Sequence, residues 1–205
     1  QARDIEYNKL TYLLINCSQM NYPKLKKIKK IYFSCRDISR ALGITLESSR
    51  VAATRLVEQE VLIRAKRDIY LLKDKWDNFS REEKFIIANL IQTPSYISLM
   101  TAMDYYEVTT QVQRDFVESI AIYRTKQIEI ENSTFNYSKI NRALYFGFLR
   151  EKGFFMATPE KAFVDAFYLM SLKRYNFDLA SIDFGKLNVS AIRKIAKHFP
   201  LKTQE

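Results

Sequence analysis

A chain of 205 residues, 47% apolar and 27% charged, has the length for one large or two small packed domains. Four glycines are too few for a Gly-rich phosphate loop or a dinucleotide fingerprint, which excludes those nucleotide-binding classes. The formal charge of +10 suits a polyanionic partner, and its distribution is uneven. Residues 1–78 hold 16 Lys/Arg against 9 Asp/Glu, a net of +7; the remainder holds 17 against 14, a net of +3. Cys17 and Cys35 both fall in apolar helical patterns and read as buried free thiols of a reducing compartment, not as a disulfide. With a single histidine they argue against structural zinc. No apolar run approaches the roughly 20 residues that span a bilayer, and the amino end lacks a secretory pattern. The expectation is a cytoplasmic chain with neither membrane partner nor cofactor.

Taken in order, Ile5, Leu10, Leu13, Leu14 and Cys17 support an opening helix. Lys24–Lys30 (KLKKIKK) spaces Leu25, Ile28 and Ile31 as a short basic amphipathic helix, a solvated connector or a phosphate-contacting patch. Ile31-Tyr32-Phe33 is a short β segment. Ser34 with Asp37 forms a capping box that opens a helix with Ile38, Ala41 and Leu42 on one face, and Gly43 can close it. Thr45 is placed to cap the next helix, whose inward stripe is Ser49, Ala52, Ala53, Leu56 and Val57. Glu47, Arg50 and Thr54 fall outward. Strands over Val61–Arg64 and Ile69–Leu72 flank a polar turn at Ala65-Lys66-Arg67-Asp68. Helix, tight turn, helix and basic hairpin spell a winged helix-turn-helix, whose use is duplex DNA binding. Protein docking is the rival use, and the outward Arg36, Arg40, Arg50 and Arg55 with the basic hairpin tilt the reading to DNA.

The pattern breaks at KDKWDNFSREEK, which sets a domain boundary near Trp76–Ser80: residues 1–78 bind DNA and 79–205 form an α+β domain. A Ser80/Glu83 capping box opens a helix that ends at Thr93-Pro94. YISLMTAMDYYEV reads as an amphipathic helix. Strands are expected over Phe116–Tyr123, Gln127–Glu131, Thr134–Tyr137, Ala143–Phe146 and Phe154–Met156, with a hairpin turn at Asn132-Ser133, as an antiparallel sheet. Thr158 as N-cap, Pro159 and Glu160 open a helix through ATPEKAFVDAFYLMSLK, and a last helix spans Val189–Phe199.

No catalytic constellation stands out. Glu129 and Glu131, two apart on a strand, would share a face and could bind a divalent ion with Asp115 or Glu118; an ordinary solvated sheet surface explains the spacing as well. His198 has no acidic neighbour in sequence. Asp165 lies in a helix apolar almost all round, so it must be buried and paired, with Lys161 one turn earlier as partner. Tyr96, Tyr105, Tyr106, Tyr123, Tyr137, Tyr145 and Tyr168 could stack single-stranded bases, but serve core edges in the plainer reading.

Four stretches together resemble the AbiEi-type antitoxins of abortive-infection, type IV toxin–antitoxin systems. They are SCRDISRALGI with RLVEQEVLIRAKRDIYLLK, TPSYISLMTAMDYYEV, the strand series around IAIYRTKQIEIENSTFNYSKI, and MATPEKAFVDAFYL. Glu60 stands where a helix-ending glycine is common in the family, and Asp68 replaces a glycine frequent in the wing turn. The resemblance implies a non-enzymatic repressor that binds inverted repeats in its own promoter and opposes a nucleotidyltransferase-like toxin through its second domain. On that reading Glu47, Ser48, Arg50 and Thr54 face base edges, and Lys66 and Arg67 follow phosphate or minor groove. Arg36 and Arg40 hold the backbone, with Thr45 and Arg55 beside them. Thr158, Pro159, Glu160, Lys161 and Asp165 form the carboxyl-terminal motif. A metal-dependent nuclease or nucleotidyltransferase carried on a DNA-binding domain is the alternative.

Overall fold

The computed structural model describes residues 23–204. The helix expected over Ile5–Cys17 lies outside the described residues. The chain divides into two compact units, residues 1–79 and 80–205.

In the first unit a helical turn over residues 23–26 sinks Leu25 into the core, and the chain then leaves the helix, so the amphipathic helix expected through Lys30 is cut short. Five lysines within seven residues disfavour a longer one by mutual repulsion. Of Ile31-Tyr32-Phe33 only Phe33 pairs, exchanging backbone hydrogen bonds of 3.0 and 2.9 Å with Tyr70. Helix α1 (Cys35–Leu42) opens with the full Ser34/Asp37 capping box and closes on Gly43 at φ +69°. Helix α2 (Leu46–Glu58) is capped by the Thr45 hydroxyl, which accepts from the Ser48 N–H. At its end Glu60 takes φ +57° and the Val61 N–H reaches back to the Leu56 carbonyl at 2.9 Å, a Schellman closure made without glycine. Ser49, Ala53 and Leu56 are buried, and the last two fill one core with Leu25, Phe33, Ile38, Leu62, Tyr70 and Leu72.

Strands β1 (Leu62–Lys66) and β2 (Ile69–Leu72) form an antiparallel hairpin, and a short helix α3 (Lys73–Trp76) follows where the sequence pattern only breaks. The hairpin turn is tighter than the expected Ala65–Asp68. Strand β1 continues to Lys66 because a bulge between Arg64 and Lys66 restores pairing, and Asp68 at φ +62° turns the chain.

The second unit carries a six-stranded mixed sheet. Its strands are β3 (Ser95–Ile97), β4 (Phe116–Ala121), β5 (Lys126–Ile130), β6 (Ser133–Lys139), β7 (Phe148–Glu151) and β8 (Phe154–Ala157), in the order β5-β6-β4-β3-β8-β7. The sheet is not antiparallel throughout, because β4 pairs parallel with β6 and β3 with β8. The β5–β6 hairpin docks by its second strand, an edge choice that side-chain alternation cannot encode. Helix α4 (Arg81–Ile91), opened by the Ser80/Glu83 box, covers one face: Phe85 meets Phe154, and the Tyr137 hydroxyl donates to the Ala88 carbonyl at 2.7 Å. Helices α5 (Leu99–Tyr105) and α6 (Pro159–Ser171) cover the other face. Beyond them lie α7 (Val189–Ala196), shorter than the helix expected to Phe199, and a final turn α8 (Leu201–Gln204).

Three further expectations need correction. Tyr96 and Ile97 belong to central strand β3, and the helix of that segment begins only at Leu99, which takes φ +57°. Arg142–Leu144 is a 3-10 turn, and the strand of that region is β7. The β5–β6 turn falls on Glu131-Asn132, with Glu131 at φ +50° and Ser133 already in strand.

Glu118 on β4 is buried against the start of α5. Its carboxylate accepts from the Met100 N–H at 3.1 Å and from the Tyr175 hydroxyl at 2.9 Å, and burial pushes its pKa up to about 7 from an ordinary 4.5. The folded chain therefore holds this proton where the unfolded chain has lost it. The stabilising contribution of Glu118 is full below pH 4.5 and is lost as pH rises through about 7. Glu118→Gln should remove that slope. Denaturant melts of both proteins should show the native chain losing on the order of 3 kcal/mol relative to the variant across the window. Parallel pH profiles would contradict the assignment.

Candidate functional site

The exposed basic side chains of the first unit are sorted by the elements that carry them. Between α2 and the hairpin lies a concavity of about 580 Å³ lined by Cys35, Arg36, Leu46, Arg50, Thr54, Arg64, Arg67, Asp68 and Tyr70. Leu46, Arg50 and Thr54 come one turn apart on one flank of α2, so the helix presents them together. Arg36 enters from the first turn of α1, Arg64 from β1 and Arg67 from the hairpin turn. Strand β1 alternates buried and exposed, which puts Arg64 and Lys66 outward.

Asp68 fixes this arrangement. Its left-handed backbone lets the hairpin turn, and its Oδ1 accepts from the Cys35 N–H at 2.8 Å. That N–H is one of the donors a helix start leaves unsatisfied, so the carboxylate ties the hairpin tip to α1 and sits at the positive end of its dipole. Beneath it the Cys35 thiol donates to the Tyr70 hydroxyl at 3.8 Å. Burial first, and the Asp68 carboxylate second, hold the Cys35 thiol above its ordinary range, which disfavours a reactive thiolate.

The remaining residues expected at a DNA surface are placed differently. Glu47, Ser48 and Arg55 are exposed on α2 but do not line the concavity; five residues on from Arg50, Arg55 is turned about 140° around the helix. Thr45 and Ser48 are spent on each other, their hydroxyls 2.9 Å apart at the helix cap. Lys66 is exposed at the hairpin. Arg40 lines a separate shallow depression with Lys24, Lys27 and Ile28, on which Asp37 borders while paired to Lys30 at 2.7 Å. The outward face of α2 therefore splits: Arg50 and Thr54 look toward the hairpin, and Glu47 does not. Arg64 was missed at the sequence level. Its signal is the strand alternation, which a turn beginning at Ala65 conceals and the strand continuing to Lys66 reveals.

In the second unit the carboxyl-terminal motif builds a buried polar centre. Thr158 caps α6 through the Lys161 N–H at 3.3 Å, Pro159 occupies the first turn, and the Glu160 Oε1 accepts from the Asn188 N–H at 3.3 Å. Lys161 and Asp165, both 0% exposed, form an ion pair one turn apart. The Asp165 Oδ2 also accepts from the Tyr96 hydroxyl and the Ser98 hydroxyl, each at 2.9 Å, while the Lys161 ammonium donates to Tyr96 at 2.8 Å. The rings of Tyr96, Phe146 and Phe199 stand 5.2–5.3 Å from that ammonium. Gly147, at φ +73°, leaves room for it, since a Cβ there would meet the Lys161 Cγ at 3.0 Å. Burial pushes the Asp165 carboxyl up and the Lys161 ammonium down; their contact opposes both shifts. This centre is closed to solvent, which fits a structural role.

The carboxylate pair weighed as a metal site does not assemble. Glu131 lies in a turn, off the face of Glu129; Asp115 pairs with Lys84 at 3.0 Å; Glu118 points into the core. Among the described residues no three His, Cys, Asp or Glu side chains are grouped to hold a metal ion. His198 is exposed beside Phe146, and the tyrosines are dispersed, with Tyr96 and Tyr137 buried and Tyr123 60% exposed. No helix among the described residues is long and apolar enough to cross a membrane. The sequence matches no protein-family model and no curated protein.

Asp165→Ala should destabilise the chain by about 3–5 kcal/mol, because it strands a buried ammonium. The double variant Lys161→Met/Asp165→Leu, which removes both charges, should be less destabilised than the single one. Equilibrium denaturation of the three proteins tests this, and an Asp165→Ala chain of native stability would contradict it.

Proposed function

We propose that the first unit is a winged helix-turn-helix that binds duplex DNA, and that the chain acts as the autorepressing antitoxin of a type IV toxin–antitoxin system. The observation that carries the DNA reading is the concavity between α2 and the hairpin, where Arg36, Arg50, Arg64 and Arg67 gather. None of the four is in an ion pair among the described residues. On this reading α1, Gly43 and α2 are the helix-turn-helix, with α2 as the recognition helix entering the major groove. Glu47 sits on its exposed face, where a carboxylate can accept from a cytosine amino group. The hairpin is the wing, and Lys66 and Arg67 follow the backbone. The net of +7 over residues 1–78 supplies the long-range attraction.

The second unit acts by recognition, without turnover, and opposes a nucleotidyltransferase-like toxin. This part rests on the resemblance of TPSYISLMTAMDYYEV and MATPEKAFVDAFYL to the AbiEi-type antitoxins. Its support in the fold is that both stretches meet in one buried centre, where Tyr96 and Ser98 of the first bind Asp165 of the second. The operator is an inverted repeat in the chain's own promoter, and no cofactor or membrane enters the mechanism.

Titration of the full chain against promoter duplex across salt tests the DNA reading. Log affinity should fall linearly with log salt, by about 0.9 for each phosphate neutralised, and a flat response would overturn it. Co-expression of the full chain with the cognate nucleotidyltransferase-like toxin should restore growth that the toxin alone arrests. Continued arrest at equal antitoxin abundance would overturn the second half of the proposal.

A further inference from the structure

The four arginines come from separate elements, and their convergence costs electrostatic repulsion. Arg36, Arg50, Arg64 and Arg67 bring four positive charges to a space of about 580 Å³. The one carboxylate that lines it, Asp68, is already held by the Cys35 N–H at 2.8 Å and belongs to the scaffold. The concavity keeps a net of +3. Its floor is the buried Cys35 and Tyr70, and the water-free, low-dielectric core behind them concentrates the field of the arginines on the open side. The first turn of α1 adds the positive end of an eight-residue helix.

We propose that these arginines form a clamp for a single phosphate group, and that in the complex with DNA this is one phosphate of the backbone. The inference rests on the DNA-binding reading and changes the role of one residue in it: Arg50 grips the backbone and does not read a base. Guanidinium forks match phosphate oxygens two by two, and several forks can share one tetrahedral anion. The placement of Arg50 agrees. It shares its flank of α2 with Leu46 and Thr54, facing the hairpin, whereas Glu47 and the half-exposed Val51 lie toward the face turned away from the helix's own packing. A recognition helix meets base edges with that outer face. The tie from Asp68 to Cys35 sets the distance between Arg67 on the hairpin and Arg36 on α1, so Asp68 is a positioning residue for the clamp.

Two measurements on the full chain test this. In the first, thermal melts compare inorganic phosphate with chloride at equal ionic strength and no nucleic acid. Phosphate should raise the melting temperature of the native chain and fail to raise that of Arg50→Ala or Arg64→Ala. In the second, salt titrations use a promoter duplex and an unrelated duplex. Arg50→Ala should weaken both by the same factor, about tenfold. The double variant Arg50→Ala/Arg64→Ala should lower the salt slope by no more than about 0.9, because the two side chains share one phosphate. A loss of about 1.8 in slope, or a change in the preference of Arg50→Ala between the duplexes, would overturn the clamp. If the native chain binds neither duplex yet phosphate stabilises it in an arginine-dependent way, the clamp stands, its source is a free phosphorylated molecule, and the DNA reading falls. If neither phosphate nor DNA responds to the arginine substitutions, the clamp is excluded.

Discussion

A lysine and an aspartate without solvent exposure constrain everything around them in the second unit. Either charge alone would be expelled from a core, so each needs the other and a complete set of hydrogen-bond partners. Asp165 recruits Tyr96 and Ser98, which fixes the central strand β3 against α6. Lys161 recruits the Tyr96 hydroxyl and a cage of rings, which draws in Phe146 before β7 and Phe199 near the carboxyl end. Gly147 is confined to a residue without a side chain because the lysine stem passes so close. One ion pair on α6 thus ties β3, the segment before β7 and the carboxyl-terminal end of the unit together.

The same junction carries strain. Leu99, fully buried, holds a left-handed backbone that costs a residue of its size on the order of 1–3 kcal/mol. It is bracketed by Ser98, bonded to Asp165, and Met100, whose N–H is held by Glu118. Two buried carboxylates therefore pin the residues on either side of the strained position, and the turn from β3 into α5 follows. Buried acids in this unit serve geometry.

In the first unit the corresponding device is Asp68. Positive φ is a conformation glycine adopts freely, yet an aspartate occupies it and uses the carboxylate to bond the start of α1. Glu60 makes the same exchange at the end of α2, where its carboxylate meets Lys73 at 2.9 Å. Both departures from glycine keep the turn and add a side-chain tether. The tether matters most at the hairpin tip, because it holds Arg67 and Arg64 beside Arg36 and Arg50 in one concavity.

Local chemistry was legible in the sequence wherever a few adjacent residues decide the outcome. The capping boxes at Ser34 and Ser80, the stop at Gly43, the caps at Thr45 and Thr158, and the stripe of Ser49, Ala53 and Leu56 depend on contacts within a turn or two. Burial of Asp165 beside Lys161 was legible for the same reason, since four residues on a helix always meet. What the sequence left undetermined were choices made between distant segments. Alternation assigns faces to β5 and β6 but not the edge by which the hairpin joins β4, so the parallel pairing belongs to the tertiary structure. Tyr96 lies in an apolar run that suits helix or strand, and only pairing with Ile120 makes it strand. Asp165 could be foreseen as buried, but Tyr96 and Ser98, 69 and 67 residues away, could not be foreseen as its partners. Arg36, Arg50 and Arg67 were legible as basic residues of one DNA-facing module, but the folded chain alone gathers them with Arg64 in one concavity, because charge is a property of a residue and convergence a property of the space between elements.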